Sequence, residues 1–264
     1  MKPCVLVFAG SDPSGGAGIS ADIEAIAAQD AHALPIITAI TVQDNDRVFA
    51  VHPVPAELIL QQAQVLADKI SIRAIKIGII ANRNNAMALA GWIAAYKTRY
   101  PDVPVILDPV LASGHGDLLS TEDAVSALAP LLTVATLITP NLPEAARLVP
   151  TAHTVQEQAQ QLMKHGADVL IDVLIKGGHA SDAMVTNIWF HQNDSTSWQW
   201  PRLNGSFHGS GCTLAAAIAA QLACGNSLPG ALESAQKFCY HALQHSYVIA
   251  DGQRIPERQR SHHE

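Results

Sequence analysis

The chain has 264 residues, 48% of them hydrophobic and 15% charged, with a net charge of −7; this suits one α/β domain with a large apolar core. The acidic balance and the lack of any basic run exclude nucleic acid as the main partner, and no apolar stretch approaches the roughly 20 residues of a membrane-spanning helix. The N-terminal apolar run reaches Ser11 and Asp12 too early for a secretory signal, and Cys4, Cys212, Cys224 and Cys239 show no CxxC spacing, so free thiols in a reducing cytoplasm are expected.

Residues 5–9 form a continuous apolar run that predicts a strand buried on both faces. A loop follows, with glycines at 10, 15, 16 and 18, and then a predicted helix over 19–30. That spacing matches neither a dinucleotide fingerprint nor a P-loop, which leaves a turn open to a ligand or a plain tight turn. Asp22 lies about one turn inside the helix, where the dipole alone would account for an acid. Residues 34–43 predict a second strand that runs into Gln43, Asp44, Asn45 and Asp46. These offer donors and acceptors to the edge of a heterocycle, or form a solvated hairpin turn.

Helix 55–69 has an amphipathic face, strand 74–80 follows, and helix 82–100 is stopped by Pro101. Strand 103–110 carries Asp108 near its end. The loop 111–120 holds His115 and Asp117 and precedes a helix over 121–132, with Ser120 or Thr121 as its cap and Glu122 and Asp123 in its first turn. Strand 135–139 leads through Asn141 and Glu144 into a short helix, then come helix 154–166 and strand 169–176, which ends at Lys176. Residues 185–191 and 197–201 predict an antiparallel hairpin, the one lapse in the alternation. A helix over 228–242 precedes a polar tail from Asp251 with Arg254, Arg258, Arg260, His262 and His263, which is expected to be flexible.

Between the hairpin and that last helix lies the sequence from Asn204 to Thr213, a glycine-rich turn that empties into an alanine-rich helix. The first turn of a helix has amides without intrahelical partners and sits at the positive end of the dipole. With Gly209 and Gly211 removing side chains there, the turn predicts an anion hole, with the thiol of Cys212 in its mouth. The alternative is a flexible helix entry with a serine cap. Six or more apolar strands alternating with helices predict a mostly parallel sheet covered on both sides, with ligands beyond the carboxyl ends of its strands. The polar clusters at 10–18, 43–45, 108, 141–144, 176–179 and 209–212 all fall at such ends.

Four blocks also resemble a known family: Ala9-Gly-Ser-Asp-Pro-Ser-Gly-Gly-Ala-Gly-Ile-Ser-Ala-Asp22, Ile37-Thr-Ala-Ile-Thr-Val-Gln43, Leu137-Ile-Thr-Pro-Asn-Leu-Pro-Glu-Ala145, and Leu174-Ile-Lys-Gly-Gly-His179 with His208-Gly-Ser-Gly-Cys-Thr213. In this order they are similar to the ribokinase-like vitamin kinases, most closely the hydroxymethylpyrimidine/phosphomethylpyrimidine kinases of thiamine biosynthesis. The resemblance implies a three-layer α/β/α sandwich with an antiparallel edge hairpin, a single kinase domain over residues 1–250 and a tail over 251–264. It also implies ATP-dependent phosphorylation of 4-amino-5-hydroxymethyl-2-methylpyrimidine, its monophosphate, or both.

Carried over residue by residue, the resemblance implies that Gly10, Asp22, Gln43 and Ile79 bind the aminopyrimidine, although the family often has methionine at the Ile79 position. Asn141 and Glu144 would organise Mg²⁺ and phosphates through water, with Asp108 a nearby acid of the same group. Lys176 would reach the nucleotide phosphates, with Asn141, Gly209 and Lys237 also on the nucleotide. Gly209, Ser210 and Gly211 would form the anion hole, and Cys212, as a thiolate stabilised by the helix end, would accept the hydroxyl proton.

Two departures from the family pattern stand out. The loop Leu111-Ala-Ser-Gly-His-Gly-Asp117 lacks the family's lysine, and the glycine-rich C-terminal segment is absent. Together these losses leave open an enzyme narrowed to one of the two phosphorylation steps. A helix cap and first-turn acid remains an alternative for Asn141 and Glu144, and a snorkelling strand end for Lys176. For the whole chain the alternatives are a pyridoxal/pyridoxamine kinase and a non-catalytic vitamin sensor. Relatives imply a homodimer, with the hairpin over 181–201 free to pair at a sheet edge.

Overall fold

The computed structural model describes residues 1–113, 115–117, 119, 123–166, 170–180 and 182–259. Ser120, Thr121 and Glu122, expected at a helix start, lie outside them, as do Val169, Ser181, Arg260, His262 and His263.

β1 (Cys4–Ser11) lies inside a sheet of order β3-β2-β1-β4-β5-β6-β7-β8-β9. β2 (His32–Gln43), β4 (Ile72–Ile77), β5 (Val105–Leu107), β6 (Leu137–Ile138) and β7 (Asp172–Ile175) extend it as parallel neighbours. Along β1 the side chains alternate: Val5, Val7 and Ala9 face one helical layer, Leu6 and Phe8 the other. The first layer holds α1 (Gly18–Ala28), α7 (Ser210–Ala223) and α8 (Leu228–Gln244). The second holds α2 (Ala56–Ala67), α3 (Arg83–Arg99), α4 (Ala124–Leu132), α5 (Leu142–Leu148) and α6 (Val155–Met163). The expected three-layer α/β/α sandwich is what forms. Because α1 crosses from β1 to β2 and α2 leads back to β4 on the far side, the strand order reverses at β1 and opens a crevice at the carboxyl ends.

The alternation lapses at two places, not one. β8 (Met184–His191) and β9 (Asp194–Pro201) form the expected hairpin, but β3 (Val48–Pro53) also pairs antiparallel with β2. The turn between β2 and β3 is closed by the Asp44 carboxylate, which accepts from the amides of Asp46 (2.8 Å) and Arg47 (2.7 Å). β3 escapes sequence reading because it is a short, half-exposed edge strand that ends in His52 and Pro53. α4 is capped by Asp123, whose side chain accepts from the Ser126 amide at 2.9 Å, so that acid precedes the first turn instead of lying in it.

The C-terminal stretch, as far as Gln259, is not loose. Gln253, Ile255 and Arg258 are 7%, 2% and 1% exposed. Its main chain is bonded to the loop before α7, Arg254 donating to the Ser206 carbonyl and accepting from the His208 amide, both at 2.8 Å. A polar composition is compatible with burial here because nearly every polar group finds a partner. Cys224 is exposed just past the end of α7, whereas Cys239 is buried.

Candidate active site

A cavity of about 560 Å³ opens at the carboxyl ends of the parallel strands. Gln43, Ile79, Asp108, Asn141, Glu144, Lys176, Gly209, Ser210, Gly211 and Cys212 all line it. Gly10, Asp22 and Lys237 do not. Ile79 packs over Gly10, and Lys237 lies on the exposed face of α8, 2.6 Å from Glu233 one turn away. Asp22 is buried beneath the cavity floor, 2.8 Å from Lys76, with both side chains fully shielded.

The first turn of α7 forms one wall. Gly209 caps it in the left-handed region (φ 76°), and its carbonyl accepts from the Thr213 amide (2.9 Å) and hydroxyl (2.8 Å). A side chain at 209 would begin 2.1 Å from the Gly16 carbonyl oxygen, and one at 211 would begin 3.1 Å from the Lys176 ammonium and 3.4 Å from an Asp108 oxygen. Glycine is required at 209 for conformation and space, and at 211 so that an ion pair can reach the open end of the helix. The amides of Ser210, Gly211 and Cys212 belong to that first turn and have no acceptor within the helix.

Two ion pairs flank Cys212. Asp108 accepts from Lys176 (2.8 Å) and from the Thr139 hydroxyl (3.1 Å) on one oxygen. Burial works to raise the Asp108 pKa, but Lys176 and Lys76 outweigh it and hold the carboxyl below its usual range. For Lys176, burial is likewise outweighed by Asp108 and Glu144, so it stays an ammonium. Lys76 is also held as an ammonium, burial losing to Asp22, with Asp108 adding to it. One Asp22 oxygen has no hydrogen-bond partner among the described residues.

Cys212 departs from expectation. Burial pushes its thiol pKa up, Asp22 and Asp108 add to that, and Lys76 and the Gly18 amide oppose it. The resting group is a neutral thiol, because the helix end competes here with a desolvated site holding two carboxylates.

Also on the cavity lining, Gln43 lies 3.3 Å from the His208 ring nitrogen, which is 2.8 Å from Asp12. Asp12 also accepts from the amides of Ser14 (2.8 Å) and Ala17 (2.7 Å), fixing the loop between β1 and α1. Asp12, Lys76 and Arg258 carry this architecture and were not singled out from sequence. The signal for Lys76 was present: a lysine inside an apolar strand of a sheet covered on both sides demands a partner.

Asn141 and Glu144 form a capping box on α5, each side chain bonded to the other's amide at 2.8 Å. The cap alternative is therefore realised, while both residues also face the cavity. No cluster of three metal-ligating side chains occurs among the described residues. Two buried carboxylates at one wall do suit a Mg²⁺ ion that keeps most of its water. Burial raises the Glu144 pKa to about 7, Lys176 opposing and Asp108 adding to it.

A carboxyl whose pKa rises on folding binds more protons in the folded chain, so stability falls as pH climbs from the unfolded value to the folded one. In metal-free buffer Glu144→Gln, which keeps the capping box, is expected to stabilise the protein at pH 8 relative to wild type, with little difference at pH 4. Thermal melts at the two pH values check this. An equal effect at both would show that the charge is not what burial opposes.

The family model for phosphomethylpyrimidine kinase matches residues 12–256. The chain belongs to the phosphomethylpyrimidine kinase family. It is 35% identical over 260 residues to the hydroxymethylpyrimidine/phosphomethylpyrimidine kinase of Rhizobium meliloti, covering 96% of this chain and 95% of that one. It is also 35% identical to a thiamine biosynthesis multifunctional protein of Corynebacterium efficiens, of which it spans only 34% while 95% of this chain is covered. Among solved structures, the pyridoxal kinase of Staphylococcus aureus in complex with AMP-PCP and pyridoxal superposes with a TM-score of 0.83 at 26% identity, over 98% of this chain and 94% of the other. The ribokinase-like fold expected of the family is confirmed, and a phosphotransferase is what family membership makes of this cavity. Among the described residues, no helix is long and apolar enough to cross a membrane.

Proposed function

We propose that this protein transfers the γ-phosphoryl group of ATP to 4-amino-5-hydroxymethyl-2-methylpyrimidine, to its monophosphate, or to both in turn. The observation that carries the proposal is a single cavity lined both by Gln43 and His208 and by Lys176 and the open amides of α7. A flat ring held by Gln43 and packed on Ile79 would present its exocyclic oxygen toward Cys212. Trp200 and Tyr240, their ring centroids 5.3 Å apart, supply an aromatic wall for the nucleotide base.

In the alcohol step a bond forms between the hydroxymethyl oxygen and the γ-phosphorus, the bond to the ADP oxygen breaks, and the hydroxyl proton must leave. Phosphoryl transfer depends mostly on positioning and charge stabilisation. Lys176 and the α7 amides supply both at the phosphate. Asp108 and Glu144 would hold Mg²⁺ through its water shell, and that ion supplies further neutralisation of the phosphate oxygens. Gly10 and Asp22, behind the cavity wall, act by supporting Ile79 and Lys76.

A coupled ADP-release assay with both pyrimidines and with pyridoxal tests the reading. Turnover of the pyrimidines above pyridoxal is expected, and the reverse would assign the chain to the activity of its structural neighbour. Because Cys212 rests as a neutral thiol, it accepts a proton only after ionising. Turnover with the alcohol is therefore expected to rise above neutral pH, and Cys212→Ala to lower it by about 10²-fold, as for loss of a general base. Turnover with the monophosphate, whose acceptor oxygen is already anionic, should change far less. Equal effects on both steps would remove the base role.

A further inference from the structure

The largest side chain in the core with essentially no exposure is a cation from the C-terminal stretch. Arg258 is 1% exposed, and its guanidinium donates to three separate pieces of the fold. Nε bonds the Thr213 hydroxyl (2.8 Å), one terminal nitrogen bonds Glu24 on α1 (3.2 Å), and the other bonds the Gly16 carbonyl. Removing a guanidinium from water is costly unless its donors are met, and here they are met by groups that shape the phosphate-facing turn.

Thr213 passes the contact on. Its hydroxyl accepts from Arg258 and donates at 2.8 Å to the carbonyl of Gly209, the residue that caps α7. Gly16, the third acceptor, is where Gly209 abuts the loop after β1, and a side chain on Gly16 would begin 2.3 Å from the His208 ring. One fork therefore spans both loops at the mouth of the cavity. The same stretch takes a second grip through its main chain, where Arg254 brackets Ser206 and His208. Two of the three side-chain contacts are to neutral oxygens, and the third is an ion pair with Glu24, whose side chain is 30% exposed.

We propose that Arg258 is a positioning residue for phosphoryl transfer: from the C-terminal strap it locks the Gly16 and Gly209 turns together and keeps the α7 amides aimed at the phosphate. This rests on the kinase reading above. Lysine cannot replace it, because a single ammonium cannot reach all three acceptors with the geometry of a planar fork.

The test compares wild type, Arg258→Met, Arg258→Lys and Arg258→Ala in the full chain, with folding checked by circular dichroism. Three quantities are measured: turnover of the pyrimidines with ATP, calorimetric binding of the pyrimidine alone, and calorimetric binding of ADP with Mg²⁺. Arg258→Met is expected to lower kcat about 100-fold and to weaken ADP binding, as misplacement by about an ångström does, while pyrimidine affinity changes less than about threefold. Arg258→Lys is expected to lose at least about tenfold in kcat. Guanidinium at non-denaturing concentration should restore part of the Arg258→Ala turnover, and ammonium should not. Wild-type kcat in folded Arg258→Met or Arg258→Lys would overturn the proposal, as would parallel loss of pyrimidine and ADP binding. Should Arg258→Met not fold, Arg258→Lys and the guanidinium arm decide. Absence of pyrimidine turnover in wild type would instead overturn the kinase reading, and the ADP arm would still decide the role of Arg258.

Discussion

Replacing Lys176 with methionine is expected to lower kcat by about 10²–10³, equivalent to roughly 2.7–4 kcal/mol of barrier, the loss typical of one aimed donor at a site of developing charge. Lys176 stands at the end of β7, with its side chain 14% exposed toward the cavity and its ammonium 2.8 Å from Asp108. It is the cation placed beside the α7 amides, at the spot that Gly211 leaves clear. Its charge matters most when negative charge spreads over a transferring phosphoryl group, so the loss should appear in kcat and the KM for the pyrimidine should hardly move. Asp108 would also lose one of the two lysines that keep it ionised. Steady-state kinetics with the preferred pyrimidine check this. Unchanged kcat in Lys176→Met would reduce Lys176 to a strand-end support.

The second large effect is on stability. Lys76→Met strands Asp22, a carboxylate with 0% exposure, without its partner. Breaking one side of a fully buried pair typically costs about 3–5 kcal/mol. The stranded Asp22 is pushed toward its neutral form, so its folded pKa lies above the unfolded value. The penalty is then small at low pH, where the group is protonated in both states, and grows as pH rises. The double variant with Asp22→Asn should recover part of the loss at neutral pH, because an amide needs no counter-charge. Denaturant melts from pH 4 to 8 measure both statements. A penalty that does not vary with pH would mean that cavity formation, and not the stranded charge, dominates. Lys76 also opposes the upward push on the Cys212 thiol, so folded Lys76→Met should alkylate at Cys212 more slowly at any given pH.

Much of the site was legible because its signals are local. Glycines at 209 and 211 ahead of an alanine-rich helix announce an anion-binding turn, since propensity and open amides are properties of a short stretch. Asn141 and Glu144 announce a capping box, and Lys176 at the end of an apolar strand points to the carboxyl edge of the sheet. The resting state of Cys212 was misread for the complementary reason. The helix end acts locally to lower its pKa, but the burial and the two carboxylates that raise it come from α1 and β5, far away in sequence.

By itself the sequence determined the strand and helix periods, the three-layer class, the family and the turn that opens α7, because each depends on neighbours along the chain. Tertiary structure decided which charges meet. It paired Asp22 with Lys76 under the floor instead of placing Asp22 in the cavity, left Lys237 on an exposed helix face, paired β3 with β2, and drew a polar C-terminal stretch inward until Arg258 was buried. Burial of a charge is settled only when partners from distant elements converge on it. Residue spacing carries no measure of that convergence.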